Sequence, residues 1–356
     1  MKFPPPSRSQ ASAVSPAEFG MLPLSTAPSP KIVRASWKAS GRSGLTDEDG
    51  LIIGTIAGEI PLWESEVLRY TRKEIDAEKF SRSIRHQSLA AVGESRSALL
   101  GFRGKFLLVA SACSAATKAL GALWVQQSKV KRCLVGGVEV LSNFTIEGFR
   151  SLQILSPKLA TPFDRSRQGI NLSEGAGFFC LENRSKNALA QLSGFGLSTD
   201  AYHMASPHPE GRGSLQAMEQ ALDTAELSPG EIDWVHSHGT GSQANDQAEG
   251  AAIYQLFGED LSKNPWVSST KHIHGHALGA SGALEVALCI EALRHQTILK
   301  TAGLTHPDPA ILVRHPPDHL RVRVRHILKK TLGFGGNNAA LVISEFPEGR
   351  RQGGVR

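Results

Sequence analysis

A cysteine directly after an apolar strand pattern is the first residue of this 356-residue chain that could do covalent chemistry. Cys113 lies between that pattern and a helix pattern rich in small residues, in the segment LLVASACSAATKAL. We expect the turn to expose the side chain, and the amides at the start of the helix to stabilise a thiolate. The alternative is a small packed residue, which most free cysteines are. The segment therefore raises the hypothesis of a nucleophilic thiol.

A histidine on a glycine-rich turn is the second candidate. His238 follows the short apolar pattern EIDWV, in the segment HSHGTGSQANDQAEG. Gly239 and Gly241 can adopt backbone conformations that other residues resist, so the turn can direct an imidazole nitrogen into a cleft. Thr240 and Ser242 place two hydroxyl groups beside it. The segment therefore predicts a polar site built around an imidazole.

A lysine and a further histidine precede a helix pattern whose first residues are nearly free of side chains. Lys271 and His276 belong to the segment SSTKHIHGHALGASGALE. The GASG opening of the helix leaves space for a bulky ligand or for a closely packed neighbouring segment. We therefore take both side chains as candidate site residues.

Three alternating histidines in the same segment raise the question of a metal site. On a strand, His272, His274 and His276 would share one face and could bind zinc. Gly275 and Gly279 favour an irregular turn instead, and no Asp, Glu or Cys lies close by in the sequence to complete the ligand set. We therefore predict that the site holds no metal.

The composition is that of an ordinary globular protein, with 40% hydrophobic and 20% charged residues. Thirty-nine Lys and Arg against 33 Asp and Glu give a net charge of +6, which favours an acidic partner such as nucleic acid, an anionic cofactor or an acidic carrier protein. The four cysteines form no CxxC pair, which predicts a reduced cytoplasmic protein instead of a disulfide framework. No apolar run approaches the length of a membrane span.

Short apolar runs alternate with helix-period segments, a pattern typical of a mainly parallel sheet covered by helices. Strands are predicted within residues 50–58, 105–113, 131–141, 177–183 and 231–239, and a strand–turn–strand within 326–346. Helices are predicted within residues 114–126, 215–227 and 281–295. No GxGxxG motif follows the first strand, so a Rossmann dinucleotide fold is set aside. Because SEGAGFFCLEN and FGGNNAALVISEF close the two parts of the chain alike, we predict two similar α/β halves.

The predicted organisation has four parts. Residues 1–30 are rich in proline and lack the apolar region of a secretory signal, which predicts a disordered leader. Residues 31–185 form the half that carries the cysteine, and residues 186–348 form the half that carries the two candidate histidines. Residues 349–356 are polar and glycine-rich, which predicts a flexible tail.

Five motifs occur along the chain in the order seen in one known family. They are SACSAATKAL with GGVEVL, then TPFDRSRQGINLSEGAG, HGTGSQANDQAEG, KHIHGHALGASGALE and LGFGGNNAALV. In this order they resemble the elongating β-ketoacyl-acyl-carrier-protein synthases of the thiolase superfamily, over about residues 50–346. The resemblance implies an α/β protein with the thiolase fold, in which two similar αβα halves form a five-layered αβαβα sandwich, normally as a dimer.

The resemblance assigns catalytic roles to five residues. Cys113 would be the acyl-accepting nucleophile, and His238 and His276 would be the two catalytic imidazoles. Lys271 would be the lysine of the site, with Glu249 as its charge partner. The implied reaction is a decarboxylative Claisen condensation, in which the carbanion formed from malonyl-acyl-carrier protein attacks the acyl group on the cysteine.

The resemblance also implies how the substrate is held. Thr240 and Ser242 match the hydroxyl positions that contact the phosphopantetheine arm of the acyl carrier protein. Phe334 matches the gating phenylalanine, with Gly335 beside it in the same turn. The backbone amides of Cys113 and Phe334 match the oxyanion pair. No cofactor is implied, because the substrates are carried on the pantetheine arm.

The implied partners are an acyl carrier protein and a second subunit, in a homodimer or in a heterodimer of a ketosynthase with a chain-length factor. Because such carriers are acidic, basic residues in the ranges 129–132 and 321–325 could assist docking, and no nucleic acid is expected. Residues 78–101 loosely resemble ketosynthase-like proteins of pigment and polyene gene clusters, including chain-length factors. The alternative function is therefore a poorly active, chain-length-factor-like partner subunit, although such subunits normally lack the cysteine.

Overall fold

The computed structural model describes residues 46–58, 60–84, 102–120, 130, 132–182 and 188–346. The strands are β1 (Gly50–Gly54), β2 (Lys105–Val109), β3 (Arg132–Glu139), β4 (Gly175–Glu182), β5 (Gln191–Thr199), β6 (Trp234–His236), β7 (Trp266–Ser268), β8 (Thr297–Ile298), β9 (Leu320–Arg321), β10 (His326–Gly333) and β11 (Asn337–Ser344). The α-helices are α1 (Ile60–Thr71), α2 (Ala77–Ile84), α3 (Ala115–Ala119), α4 (Asn143–Ser151), α5 (Arg212–Ala225), α6 (Gln243–Phe257), α7 (Lys271–His274) and α8 (Ser281–His295). The three predicted boundaries, after residues 30, 185 and 348, lie outside the described residues.

The first half of the chain forms a four-stranded sheet in the order β2-β1-β3-β4. β1 pairs in parallel with both neighbours, so that Gly50 lies opposite Lys105 on one side and Cys133 on the other. β4 continues the sheet with an antiparallel pairing to β3. The GLIIG run of β1 is buried throughout, as expected of a central strand covered on both faces.

The second half forms a five-stranded sheet in the order β5-β11-β10-β6-β7, and β8 pairs with β9 separately. β10, β6 and β7 are parallel, whereas β11 runs antiparallel between β10 and β5. His238 follows β6, and Lys271 follows β7. The ends of adjacent parallel strands therefore bring these two segments to the same edge of the sheet.

Two helices lie between the sheets. α3 contacts β1 and β3 of the first sheet and β11 of the second, while α8 contacts β3, β4, β10 and β11. α5 covers the other face of the second sheet against β5, β11 and β10, and α6 packs beside it. The described residues therefore form four successive layers of helix, sheet, helix and sheet.

The close packing of α3 on the first sheet depends on two glycines, which have no side chain. A Cβ at Gly54 of β1 would lie 2.5 Å from the backbone nitrogen of Ala116, and one at Gly137 of β3 would lie 2.5 Å from its Cβ. Both distances are far inside van der Waals contact, so only glycine permits this approach. The two glycines therefore fix the position of the turn that precedes α3 and carries Cys113.

Two apolar clusters hold these layers together. One lies between the two sheets and includes Ile52, Trp234 and Leu341, all fully buried. The other lies beneath α5 and includes Met218 and Val235. Each fully buried large apolar side chain contributes about 1.5–3 kcal/mol relative to exposure, so the cluster between the sheets fixes the two halves against each other.

Most of the predicted elements are present in the structure. Each predicted strand segment contains a strand, and the helix predicted over residues 281–295 coincides with α8. Four strands (β5, β7, β8 and β9) and five helices (α1, α2, α4, α6 and α7) of the described residues are absent from the prediction, and the helix predicted over 114–126 is described only to residue 120. The two larger sheets of the described chain combine four parallel with three antiparallel pairings, so they are less parallel than predicted. No helix in the described ranges has both the length and the apolar character required to cross a membrane.

Candidate active site

Cys113 lies in a tight turn between β2 and α3. The residue before it, Ala112, has a φ of 48°, a left-handed conformation that is unfavourable for a residue with a Cβ. The Ser114 amide donates to the Ser111 carbonyl at 3.2 Å, and the Ala115 amide donates to the Ala112 carbonyl at 3.1 Å. These bonds hold the strained backbone in place, and the Cys113 side chain lines the cavity described below.

The fold brings the cysteine and two histidines to one point. The Sγ atom of Cys113 and one ring nitrogen each of His238 and His276 lie within 4.8 Å of one another. The two imidazole rings are nearly perpendicular, with centroids 5.1 Å apart. All three side chains are buried from bulk solvent. A carbonyl group that reaches the thiol therefore meets both rings.

Backbone geometry determines which nitrogen of His276 carries the proton. The Leu278 amide donates to Nδ1 at 3.0 Å, and the Ser281 hydroxyl lies 3.0 Å from the same nitrogen. Because an amide can only donate, Nδ1 accepts, and the proton of the neutral ring lies on Nε2. Burial lowers the pKa of this imidazole well below its usual value, so the ring is neutral near pH 7. His276 therefore acts as an Nε2–H donor.

Lys271 determines which ring nitrogen of His238 carries the proton. Its Nζ atom lies 3.2 Å from Nδ1 of His238 and donates to the carbonyl oxygen of the same residue at 2.6 Å. Glu249 accepts hydrogen bonds from the His238 and Gly239 amides at 2.6 and 2.7 Å. Burial, together with the charge of Lys271, lowers the pKa of the His238 imidazole well below its usual value. The neutral ring therefore directs Nδ1 at the ammonium and carries its proton on Nε2.

The structure corrects the predicted ion pair of Lys271. Its ammonium pairs with Glu285 of α8, whereas Glu249 lies 3.1 Å from Nζ of Lys330. Glu285 also lies 2.8 Å from Nζ of Lys329 on β10. Burial opposes ionisation of Glu285, but the two lysines outweigh it and hold the pKa of this carboxyl below its usual value. The site lysine is therefore anchored from the helix that follows the second histidine.

The Phe334 turn faces Cys113 from the β10–β11 hairpin. Hydrogen bonding from the backbone amides of both residues favours the ionised form of the Cys113 sulfur. Two convergent amides can stabilise an oxyanion that forms on a thioester at this sulfur. The Phe334 ring stacks on Phe149, with centroids 5.6 Å apart and an interplanar angle of 18°. The Gly335 amide instead donates to the Met204 carbonyl at 2.8 Å, so Gly335 does not belong to the oxyanion pair.

The glycine turn after β6 presents two hydroxyl groups. The Thr240 hydroxyl donates to Ser242 Oγ at 3.0 Å, and the Thr240 amide donates to Asp246 at 3.0 Å. Gly239 and Gly241 have positive φ values of 39° and 85°, which are conformations that glycine adopts more readily than other residues. Both hydroxyl-bearing residues line the same cavity as the cysteine.

A single cavity of about 330 Å³ connects these groups. Cys113, His238, His276 and Phe334 line it together with the two hydroxyl-bearing residues. Further lining residues are Phe149, Ile154, Ile170, Leu332, Gln168 and Asn245. A volume of this size is in the range of small-molecule sites, and its mixed lining suits an apolar chain that ends in a polar reacting group.

The predicted thiolate is not the resting form of Cys113. Burial raises the pKa of this thiol to about 12, although the charge of Lys271 and the amides of Cys113 and Phe334 act in the opposite direction. The removal of the sulfur from water thus outweighs the amide effect on which the sequence prediction depends. The thiol is protonated near neutral pH and would have to lose its proton to act as a nucleophile.

We expect iodoacetamide to alkylate Cys113 slowly, because the thiolate is the reactive form. At pH 8 the rate constant should be at least about a hundredfold below that of free cysteine, and it should rise about tenfold per pH unit up to pH 10. Peptide mass spectrometry across this pH range measures the rate at this position. A Cys113→Ala variant gives the background from the other cysteines, and a rate that levels off below pH 9 would contradict the raised pKa.

Cys113, His238 and His276 also have the spacing of a candidate metal site. A histidine that binds a metal through one nitrogen usually donates a hydrogen bond from the other. Here the Nδ1 atoms of both histidines face donors, the Leu278 amide and the Lys271 ammonium. Both Nε2 atoms therefore carry the proton, and the geometry favours hydrogen-bond donation over metal binding.

The three alternating histidines do not share a strand face. His272 and His274 lie on the short helix α7, and Gly275 follows with a φ of 71°. The His272 ring lies 2.7 Å from the Ala160 carbonyl, and Nε2 of His274 lies 2.9 Å from the Thr270 hydroxyl. The irregular geometry that the two glycines predict is therefore present, and His276 alone of the three joins the cysteine.

Comparison with known proteins places the chain in a family. The model of the β-ketoacyl synthase N-terminal domain matches residues 21–187, and that of the C-terminal domain matches residues 189–305. The chain belongs to the β-ketoacyl synthase family. It is 36% identical to nodulation protein E of Rhizobium leguminosarum bv. trifolii over 259 residues, which are 70% of this chain and 64% of that protein. It is 32% identical to 3-oxoacyl-[acyl-carrier-protein] synthase 2 of Staphylococcus aureus (strain COL) over 262 residues, 69% of this chain and 63% of that protein.

The chain thus spans slightly less than two thirds of the length of both curated relatives. A solved structure described as the ishigamide ketosynthase/chain length factor superimposes with a TM-score of 0.83 at 25% identity, covering 94% of this chain and 86% of the other. This similarity confirms the predicted α/β, thiolase-like fold. Four of its five predicted layers are formed by the described residues.

Two buried acidic residues of this member of the β-ketoacyl synthase family are absent from the sequence-based candidates. Glu285 is buried in the helix segment SGALEVALCI, and Glu139 is buried at the end of β3 in GGVEVL. Burial raises the pKa of Glu139 to about 7, although backbone and hydroxyl hydrogen bonds favour its ionised form. A single acidic residue within an apolar run is the signal available in the sequence, because a buried charge requires partners.

Proposed function

We propose that this chain is a β-ketoacyl-acyl-carrier-protein synthase, an acyltransferase that condenses an acyl group held on Cys113 with malonyl-acyl-carrier protein. One observation carries the proposal: a thiol and two imidazoles that present Nε2–H groups converge within 4.8 Å in one cavity. Family membership supports it, and 3-oxoacyl-[acyl-carrier-protein] synthase 2 of Staphylococcus aureus is among the similar proteins.

In the first step, the Cys113 sulfur attacks the carbonyl carbon of an acyl thioester on the pantetheine arm. A carbon–sulfur bond to Cys113 forms, the bond to the pantetheine sulfur breaks, and the proton from Cys113 ends on the departing sulfur. Because one thioester replaces another, the step is nearly thermoneutral and depends on stabilising its tetrahedral intermediate. The amides of Cys113 and Phe334 supply that stabilisation.

In the second step, malonyl thioester loses carbon dioxide. The electron pair of the broken carbon–carbon bond moves into the thioester carbonyl, and the Nε2–H groups of His238 and His276 donate to the resulting enolate oxygen. The carbanion then attacks the carbonyl of acyl-Cys113, which forms the new carbon–carbon bond and releases the sulfur. Because the malonyl carboxylate leaves as neutral carbon dioxide, the sulfur is released as a thiolate and takes up one proton from solvent. The raised pKa of Cys113 favours this protonation, which returns the resting thiol.

The remaining candidate residues hold the reacting groups in place. Lys271 keeps Nδ1 of His238 in an accepting role and needs no proton transfer of its own. Thr240, Ser242 and Phe334 line the cavity. This supports the proposal that the two hydroxyl groups contact the pantetheine arm and that the Phe334 ring gates entry of the acyl chain. Glu249 contributes by accepting a hydrogen bond from the His238 backbone amide, and it does not pair with Lys271.

An acyl carrier protein is the proposed carrier, because the net charge of +6 suits an acidic partner. The two basic clusters of the sequence analysis contribute less free charge than expected. Arg132 lies 2.7 Å from the buried Asp49 carboxylate, and Arg323 lies 2.5 Å from Glu345. Their charges are already paired, so we assign the docking surface to neither residue.

We propose a dimer that works in fatty acid, polyene or polyketide synthesis. The similar structure described as a ketosynthase/chain length factor favours a second candidate, in which this chain is the poorly active partner of another ketosynthase. The complete set of Cys113, His238 and His276 favours the active synthase. The resemblance to pigment and polyene clusters depends on residues 78–101, of which 85–101 lie outside the described residues.

Mass spectrometry of the carrier protein separates the two candidates. The purified chain is incubated with acyl-carrier proteins of several chain lengths and with malonyl-acyl-carrier protein. Formation of β-ketoacyl-acyl-carrier protein with release of carbon dioxide supports the synthase. Lack of product with every primer, combined with tight co-purification with a second ketosynthase, would favour the partner subunit.

A further inference from the structure

The carboxylate of Glu139 is an acceptor for four donors from two distant parts of the chain. It accepts hydrogen bonds from the Thr55 hydroxyl at 2.9 Å, the Ile56 amide at 3.0 Å and the Ala57 amide at 2.8 Å. It also accepts the Gly279 amide at 3.0 Å. The first three donors follow β1, and the fourth belongs to the second half of the chain. This one side chain therefore joins the two halves beside the cavity.

The turn that Glu139 reaches is the turn that determines the tautomer of His276. The Leu278 amide, which donates to Nδ1 of His276, immediately precedes the Gly279 amide that donates to Glu139. Leu278 has a φ of 47°, an unfavourable conformation that requires support from its surroundings. The bond to Glu139 supplies an external restraint next to this strained residue.

The packing leaves the turn little freedom to find another support. A Cβ at Gly279 would lie 2.5 Å from the Glu139 carboxylate, and one at Gly137, two residues earlier on β3, would lie 3.0 Å from Cα of Ala280. The end of β3 thus forms the floor of the turn. All four groups around the carboxylate are donors, so an amide in its place would direct an NH₂ group at N–H groups.

We propose that Glu139 is a positioning residue for His276: through Gly279 it holds the turn whose Leu278 amide keeps Nδ1 accepting and Nε2–H directed at the reacting carbonyl. Glu139 itself contacts no substrate in this scheme. Its effect on catalysis rests on the proposed function, because His276 acts in malonyl decarboxylation. The effect of Glu139 on the tautomer of His276 does not depend on the proposed function.

The kinetic test compares Glu139→Gln with a control that loses an equally buried carboxylate. In Glu139→Gln we expect malonyl decarboxylation to fall by about 10- to 100-fold, since small displacements of a catalytic group have effects of this size, while acyl loading of Cys113 changes less than about threefold. Asp49 is also buried and accepts four hydrogen bonds, from Thr46 and Arg132, away from the His276 turn. Asp49→Asn should therefore affect both reactions equally. An equal loss of both reactions in Glu139→Gln would overturn the proposal.

Nitrogen NMR gives a readout that does not depend on turnover. In protein labelled with ¹⁵N-histidine, the His276 signals, assigned with a His276→Asn variant, should show an unprotonated Nδ1 and a protonated Nε2. Glu139→Gln should produce a mixture of the two tautomers, whereas Glu139→Asp, which keeps the carboxylate, should retain part of the original pattern. An unchanged tautomer in Glu139→Gln would contradict the positioning role. If the wild-type protein neither loads acyl groups nor decarboxylates malonyl thioester, the proposed function fails, and the NMR result still decides the role of Glu139.

Discussion

Replacing Cys113 with alanine should lower condensation by about 10⁴-fold or more, the largest effect expected of any single substitution. The reaction needs a sulfur that forms and later breaks a bond to the acyl group, and loss of a covalent nucleophile removes the whole pathway. The other described cysteines cannot replace it, because the cavity lining includes Cys113 and none of them. The measurement is the initial rate of β-ketoacyl-acyl-carrier-protein formation.

Cys180→Ala is the matched control for this substitution. Cys180 lies on β4 in the first sheet, is only partly buried and contributes nothing to the cavity. Its replacement should change the condensation rate by less than about threefold, as is usual for small substitutions outside special sites. Equal activity of Cys113→Ala and the wild type would refute the assignment of the nucleophile.

Replacing His276 with alanine should lower malonyl decarboxylation by about 100- to 1,000-fold, the size of effect seen when one oxyanion donor is removed. The Nε2–H group donates to the enolate oxygen, so its loss acts on the step in which that charge develops. Acyl transfer to Cys113 should fall much less, since the amides of Cys113 and Phe334 stabilise its intermediate. Carbon dioxide release and acyl loading are measured separately.

A donor-retaining variant distinguishes hydrogen bonding from simple loss of packing. His276→Asn keeps an N–H group on a shorter side chain, so we expect decarboxylation between that of His276→Ala and the wild type. His238→Ala should resemble His276→Ala, because both rings donate to the same oxygen. If His276→Ala lost acyl transfer and kept decarboxylation, the assigned role would be wrong.

The three central residues could be predicted because their sequence surroundings are specific. Cys113 follows a strand pattern and precedes a run of small residues, and His238 and His276 lie beside glycine turns. Turn chemistry of this kind is local, so it can be inferred from the residues alone. Glu139 and Glu285 show no such local signal beyond a single acidic residue in an apolar run.

The ion pair of Lys271 could not be predicted, because it depends on packing between distant elements. Glu249 on α6 and Glu285 on α8 are both buried acidic residues at the ends of the two candidate segments. Sequence spacing does not show which helix approaches β7 more closely. In the structure α8 lies between the sheets and reaches the lysine, while Glu249 faces Lys330 on β10.

The protonation state of Cys113 could not be predicted from the sequence, because it depends on how deeply the sulfur is buried. The amides at the start of the following helix favour a thiolate, and they can be inferred from the sequence. Burial opposes them and has the larger effect on the pKa of the thiol, because only 4% of Cys113 remains exposed in the fold. Two of the missed elements lack a clear periodic pattern in the sequence. Gly194 and Gly196 interrupt the apolar alternation of β5. The helix α6 carries buried residues on more than one face.

Acyl transfer to a single sulfur is the central claim, and peptide-level mass spectrometry after incubation with acyl-acyl-carrier protein tests it most directly. We predict that the acyl mass appears on the peptide containing Cys113, is absent in Cys113→Ala, and disappears when malonyl-acyl-carrier protein is added. An acyl group on another residue, or a Cys113 that stays unmodified with every primer length, would contradict it.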